Sequence, residues 1–284
     1  MKKRLLFFVI ALALMLTLMP LSAFAQQKDE YAVVANKKVG DCAFDLITHD
    51  SDGNRLVRIT GTNLGDLISD AFRHGMDADI AYFNGGGIRS HIESGEITYN
   101  DLLNVLPFNN TGVVVEVSGK TVIEMLEVAV AKWPEESGSF PHVSGMTFSV
   151  NVLGGTNERV YNVQIENPET GMYEALDPDK TYTVAANNYI LLECGDGMSM
   201  FEGAKVISDT GVLDVELLEA YIKDDLGGVI GEDYMRSDRR VTFTEGVVFG
   251  AVDDGDHAIW IAAIGIVLAI TTIVTVSIIR KRRG

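Results

Sequence analysis

The sequence predicts an α+β domain, a mixed β-sheet with interleaved helices, plus one C-terminal transmembrane helix. Three observations predict it. Apolar residues recur at helical spacing in several separate stretches, short β-branched or continuously apolar runs alternate with them, and both chain ends carry long uncharged segments beside basic clusters.

The elements follow in order. Lys2, Lys3 and Arg4 open the chain, Leu5–Leu21 is almost continuously apolar, and Ala23-Phe24-Ala25 offers the small residues a signal peptidase accepts. Residues 1–25 are therefore expected to be a secretory signal peptide and are set apart from the fold. The globular domain is expected over 26–250. Tyr31–Val39 suits a first strand. Thr62 is placed to cap a helix over Asn63–Phe72, with Leu64, Leu67, Ile68 and Ala71 on one face. Ala78–Phe83 is an apolar run that stops at Asn84-Gly85-Gly86-Gly87, a strand feeding a tight loop. Tyr99–Val105 reads as a short helix closed by Pro107. Thr111–Val117 is a β-branched strand, Ser118-Gly119 turns, and Lys120–Trp133 is an amphipathic helix stopped by Pro134. Met146–Val152 and Val160–Ile165 flank a Gly154-Gly155 turn as strands. Thr181–Ala186 adds a strand, Asp214–Leu226 a helix, and Arg240–Thr244 a last strand.

Residues 251–257 form a linker, and Ala258–Ile279 holds no charge over 22 residues. At 1.5 Å per residue a helix of that length spans the roughly 30 Å hydrocarbon core. Trp260 suits the outer interface, and Arg280-Lys281-Arg282-Arg283 belongs on the cytoplasmic side, leaving a basic tail over 280–284. A single-pass type I protein with an extracellular domain is expected, in a cell membrane of Gram-positive type. Attachment to the wall is the weaker expectation, because Val252–His257 carries no LPxTG motif.

All 40 acidic residues lie between these ends, against 16 basic ones, a net charge of −24. A field of that sign repels polyanions, so no nucleic-acid partner is expected. Cys42 and Cys194 belong to no Cys-x-x-Cys or Cys/His cluster, so zinc is not expected, and whether they pair is left open.

Four stretches carry candidate chemistry. In Asn84-Gly85-Gly86-Gly87-Ile88-Arg89, glycines allow close backbone approach, Asn84 can pair with a base edge, and Arg89 with phosphate or ribose oxygens. Phe108 lies in a loop, Leu106-Pro107-Phe108-Asn109-Asn110-Thr111. Tyr189 follows Asn187-Asn188 and precedes Cys194-Gly195-Asp196-Gly197. Arg58 stands just ahead of Thr62-Asn63-Leu64-Gly65-Asp66, and taken alone is a solvated charge.

Taken together, residues 62–71, the Asn-Gly-Gly-Gly-Ile-Arg loop with Ile97-Thr98-Tyr99, Leu-Pro-Phe at 106–108 and Gly-Asp-Gly at 195–197 occur in one order. That order resembles the C-terminal, substrate-binding domain of the 5′-nucleotidase/UDP-sugar hydrolase family, from about Tyr31 to Thr244. The resemblance implies a domain that grips a nucleotide base between two aromatic rings. It implies Phe108 as one ring, Asn84 as a base contact, Arg58 and Arg89 on ribose or phosphate, Gly86 and Gly87 lining the loop, and Asp196 accepting from ribose hydroxyls. Tyr189 is the second ring if the loop before Asp196 holds one extra residue. Otherwise Ile190 stands there as an apolar wall.

The family's hydrolysis depends on two metal ions held by Asp-x-His and Gly-Asn-His-Asp motifs, and these have no counterpart in the sequence. His49, His74, His91, His142 and His257 are scattered, while His49-Asp50 and Asp77-x-Asp79 are better explained as solvated loops. The expectation is therefore no cofactor and no catalytic residue in this chain, with divalent metals only in a separate metallophosphatase partner. The expected role is a membrane-anchored extracellular nucleotide- or nucleoside-binding domain acting in nucleotide dephosphorylation with that partner. The alternatives are nucleoside capture for uptake or sensing, and a structural remnant that does not bind.

Overall fold

The apolar run at 78–83 becomes strand β2, Ile80–Asn84, buried at every position. The structure, a computed structural model, describes residues 35–237 and 240–245. In it Ala81 and Phe83 of β2 join one hydrophobic core while Ile80 and Tyr82 join another. A strand covered on both faces needs apolar side chains on both, so it reads as a continuous run and not as an alternation. The expected signal peptide, linker, transmembrane helix and basic tail lie outside the described residues. Among those described, no helix is long and apolar enough to cross a membrane.

Strand β2 belongs to a five-stranded sheet with β4 (Thr111–Ser118), β5 (Pro141–Ser144), β9 (Thr181–Asn187) and β10 (Lys205–Leu213), in the order β10-β4-β9-β2-β5. β2 and β9 run parallel, and the other pairs antiparallel. One face is covered by helices α1 (Asn63–Gly75), α2 (Tyr99–Val105) and α5 (Asp214–Ala220). A small sheet lies with them: β1 (Lys38–Cys42) between β3 (Gly95–Thr98) and β11 (Val229–Ile230). The other face is covered by α3 (Gly119–Val130) and a four-stranded sheet of β6 (Met146–Asn151), β7 (Val160–Glu166), β8 (Tyr173–Ala175) and β12 (Val241–Thr244). The fold is thus α+β with mixed pairing, built on three sheets where the sequence reading had one.

Local chemistry sets the boundaries. The Thr62 hydroxyl accepts from the Gly65 amide at 3.1 Å and starts α1. Thr98 and Asp101 form a reciprocal capping box for α2. The Ser118 hydroxyl caps α3, which ends at Val130, three residues short of the expected Trp133. The expected helix over 214–226 is α-helical only to Ala220 and then widens into a π-helical turn over Tyr221–Asp225. Among the described residues the first strand is Lys38–Cys42 and the last Val241–Thr244, against expected starts at Tyr31, which lies outside the described residues, and Arg240. Cys42 and Cys194 are free thiols, Cys42 in the first core and Cys194 against the second.

A buried polar cluster ties these layers together. Asp70 of α1 accepts from the Ser144 hydroxyl at 2.5 Å, from Tyr234 Oη at 2.6 Å, and from Arg240 Nη1 and Nη2 at 2.8 and 2.7 Å. Four donors on two oxygens satisfy a carboxylate that would otherwise be costly to bury.

Candidate functional site

Because β2 and β9 are parallel neighbours, their carboxyl ends open on the same edge of the central sheet. The antiparallel strands β4 and β5 begin there, with Gly112 opposite Asn187 and Asn84 opposite Pro141. Four loops distant in sequence therefore meet: 84–88 after β2, 188–198 after β9, 108–110 before β4, and 137–140 before β5. They enclose a cleft of about 600 Å³ with Arg58 on its wall.

Seven of the eight residues singled out from sequence line this cleft: Arg58, Asn84, Gly86, Gly87, Phe108, Tyr189 and Asp196. Arg89 does not. Its guanidinium sits 5.7 Å from the centroid of the Phe108 ring, a cation–π contact that backs the ring. Asn110 and Gly138 also line the cleft. Asn110 lies in a loop the sequence reading had marked, whereas Gly138 carries no signal of its own.

The two rings are presented differently. Phe108 is 55% exposed, its ring open to the cleft. Tyr189 rides on the short helix α4 (Asn188–Leu191), capped by the Asn187 side chain, which accepts from the Ile190 amide at 3.0 Å. Ile190 is fully buried in the second core, so the aromatic and not the aliphatic residue faces the cleft. A Cβ on Gly195 would fall 2.2 Å from the Tyr189 ring, so only glycine lets that turn lie flat against it.

Polar groups are tied to one another before any ligand arrives. Asp196, in left-handed backbone at φ 55°, accepts from Asn84 Nδ2 at 2.7 Å and from Tyr189 Oη at 3.3 Å. Its own amide donates to Tyr189 Oη at 3.2 Å. Asn84 Oδ1 accepts from Asn187 Nδ2 at 3.1 Å. Asn84, assigned from sequence to a base edge, thus spends its carbonyl and one amide hydrogen on scaffolding. The glycine loop is tied to the scaffold in the same way. The Gly85 and Gly86 amides donate to Phe140 and Gly138 carbonyls, both at 2.8 Å, and none of the three glycines has positive φ. Their value is close approach: a Cβ on Gly85 would meet the Val57 carbonyl oxygen at 2.1 Å.

Arg58 supplies the charge. Among the described residues its guanidinium has no hydrogen-bond or ion-pair partner. Burial lowers its pKa, and repulsion from Arg55 and Arg89 adds to this, partly offset by Glu136 and Asp196. Such a cation is under-compensated and suited to an incoming anion. No three His, Cys, Asp or Glu side chains come together as a metal site among the described residues.

Residues 38–203 match the family model described as "5′-nucleotidase, C-terminal domain". The chain is 38% identical over 203 residues to the trifunctional nucleotide phosphoesterase protein YfkN of Bacillus subtilis, covering 70% of this chain and 13% of that protein. It is 35% identical over 167 residues to protein UshA of Escherichia coli, covering 59% of this chain and 28% of that one. Among solved structures, the 5′-nucleotidase precursor of Thermus thermophilus superposes with a TM-score of 0.66 at 30% identity, over 78% of this chain and 42% of that one. The chain therefore spans less than half the length of each of these relatives.

Proposed function

Since the chain belongs to the 5′-nucleotidase C-terminal domain family, we propose that its cleft binds a nucleoside or nucleoside monophosphate and presents it for dephosphorylation. One observation carries the reading. A single cleft combines two exposed rings, Phe108 and Tyr189, with a carboxylate, Asp196, and an unpaired, partly buried arginine, Arg58. Rings suit a base, a carboxylate suits sugar hydroxyls, and a guanidinium suits phosphate. A volume of about 600 Å³ falls in the range of small-molecule sites.

We assign hydrolysis itself to a metal-bearing part outside the described residues, a separate metallophosphatase subunit, where divalent metal would activate water. The ends of the sequence support a secreted domain held at the outer face of the cell membrane by the 258–279 helix. Stacking at about 1–3 kcal/mol per ring and a few polar contacts give dissociation constants from high to low micromolar.

The test is calorimetric titration of the purified protein with adenosine, AMP and UDP-glucose, beside a Phe108→Ala variant. Phe108 is largely exposed, so its removal leaves folding stability within about 0.5 kcal/mol while weakening binding about 5- to 150-fold. No saturable heat with any of the three at millimolar concentration removes the proposal.

A further inference from the structure

Arg58 sits in a single 3₁₀ turn, Leu56–Arg58, with no side-chain cap of its own. A turn so short does not hold itself, yet three consecutive carbonyls, those of the last two residues of the turn and the one after it, are each engaged from one other segment. Val57 O accepts from His142 Nε2 at 3.0 Å, Arg58 O from the Ser137 amide at 3.1 Å, and Ile59 O from Trp133 Nε1 at 3.0 Å. We propose that the segment Trp133–His142 is a clamp that fixes Arg58 toward the phosphate end of the cleft, with His142 as its positioning residue. The inference rests on the nucleotide reading of the cleft and adds to it the part that sets phosphate affinity.

The clamp is itself anchored. Ser139 Oγ donates to Ala129 O at the end of α3 at 3.1 Å, and Ser139 O accepts from Tyr82 Oη of β2 at 2.6 Å. The same segment receives the Gly85 and Gly86 amides. One rigid strip therefore registers the arginine turn against the glycine loop, and the Val57 carbonyl, packed on Gly85, is where they meet.

His142 is suited to this role by burial. Its ring is 1% exposed, 5.8 Å from the Phe140 ring, and a Cβ on Gly65 of α1 would fall on it. A carbonyl partner requires the proton on Nε2. Nδ1 is then a bare acceptor with no partner, the one such buried side-chain atom among the described residues. Keeping an orphaned nitrogen is a cost that an apolar side chain in that place would avoid. What the imidazole contributes in return is the donor to Val57.

The test uses His142→Leu, which fills the space without a donor, and His142→Gln, whose amide nitrogen reaches the Nε2 position. His142→Leu is expected to weaken AMP about tenfold or more and adenosine less than about twofold, with His142→Gln within about threefold of wild type for both. A Trp133→Phe variant, which loses the donor to Ile59 and part of the ring stacked on Phe243, shifts the same ratio in the same direction and serves if His142→Leu fails to fold. In the ligand-free protein, amide exchange at Ser137 should accelerate about tenfold in His142→Leu while amides of β9 keep their protection. Equal losses for AMP and adenosine, or unchanged Ser137 exchange, overturn the clamp. If wild type binds neither ligand, the nucleotide reading fails, and the clamp is decided by Ser137 exchange alone.

Discussion

Asp196 allows the proposed sugar contact to be separated from the scaffold that holds it. Its carboxylate already accepts from Asn84 at 2.7 Å and from Tyr189 at 3.3 Å, leaving lone pairs on both oxygens toward the cleft. In an Asp196→Asn variant, the amide oxygen can keep the Asn84 bond and the amide nitrogen can donate to Tyr189 Oη. The scaffold survives, and what is lost is a charged acceptor for the ribose hydroxyls. Hydrogen bonds to charged groups contribute about 1.5–3 kcal/mol, so adenosine should bind about 10- to 150-fold more weakly. Adenosine is the ligand of choice because it is neutral, whereas removing a negative charge also eases repulsion of a phosphate. The control is 2′,3′-dideoxyadenosine, which lacks both hydroxyls and should lose less than about twofold between wild type and variant. Calorimetry on the four combinations gives the coupling directly. Equal losses for the two ligands would refute the reasoning and leave Asp196 as a brace for Tyr189.

Two further predictions concern the fold beneath the site. Asp70→Ala strands Arg240 without its bidentate partner and should cost about 3–5 kcal/mol, lowering Tm by about 6–20 °C; an Asp70→Leu/Arg240→Met double variant should recover most of it in urea unfolding. A single-variant loss below about 1 kcal/mol contradicts this. Asp214 at the start of α5 has its pKa raised from 3.8 to about 7 by burial, against weaker lowering by backbone donors including Val215. A raised folded pKa means stability fully present below 3.8 and lost as pH rises through 7. Between pH 5 and 8, wild type should therefore fall relative to Asp214→Asn by about 3 kcal/mol. A gap between the two that does not change with pH would show the carboxyl to be better solvated than its position implies.

What the sequence made legible was whatever rests on local pattern. The run at 78–83, the Thr62 cap and the Ser118 junction are each set by neighbours within four residues: the cap formed where expected, the strand came within two residues of its expected start, and Ser118-Gly119 joins β4 directly to α3. Strand β10 was not legible: Ser208, Asp209, Thr210 and Gly211 break any alternation, and its pairing with β4 shifts register twice. It lies at the sheet edge with most of its side chains exposed, so no buried face imposes a period of two. Strand β5 opens with a proline and is four residues long, another edge strand with little to read.

The site divides along the same line. Loop residues that occur together in a motif were found, because the motif is itself a local pattern. Their division of labour was not, since it depends on the parallel pairing of β2 with β9, about a hundred residues apart. That pairing brings Asn187 and Asp196 against Asn84, turning Asn84 into a brace. Arg89 is not in the lining of the cleft and stands instead against the Phe108 ring, 5.7 Å from its centroid. Arg58 makes the point most sharply. In sequence it is one solvated cation among 23 basic residues, with nothing nearby to distinguish it. In the fold its turn is gripped at three successive carbonyls by donors 74 to 85 positions away. Holding a guanidinium in place with no ion-pair partner among the described residues, its charge only partly offset by Glu136 and Asp196, gains little in the folded chain alone. It becomes intelligible once an anion completes the site, and the phosphate reading rests on that imbalance more than on any single motif.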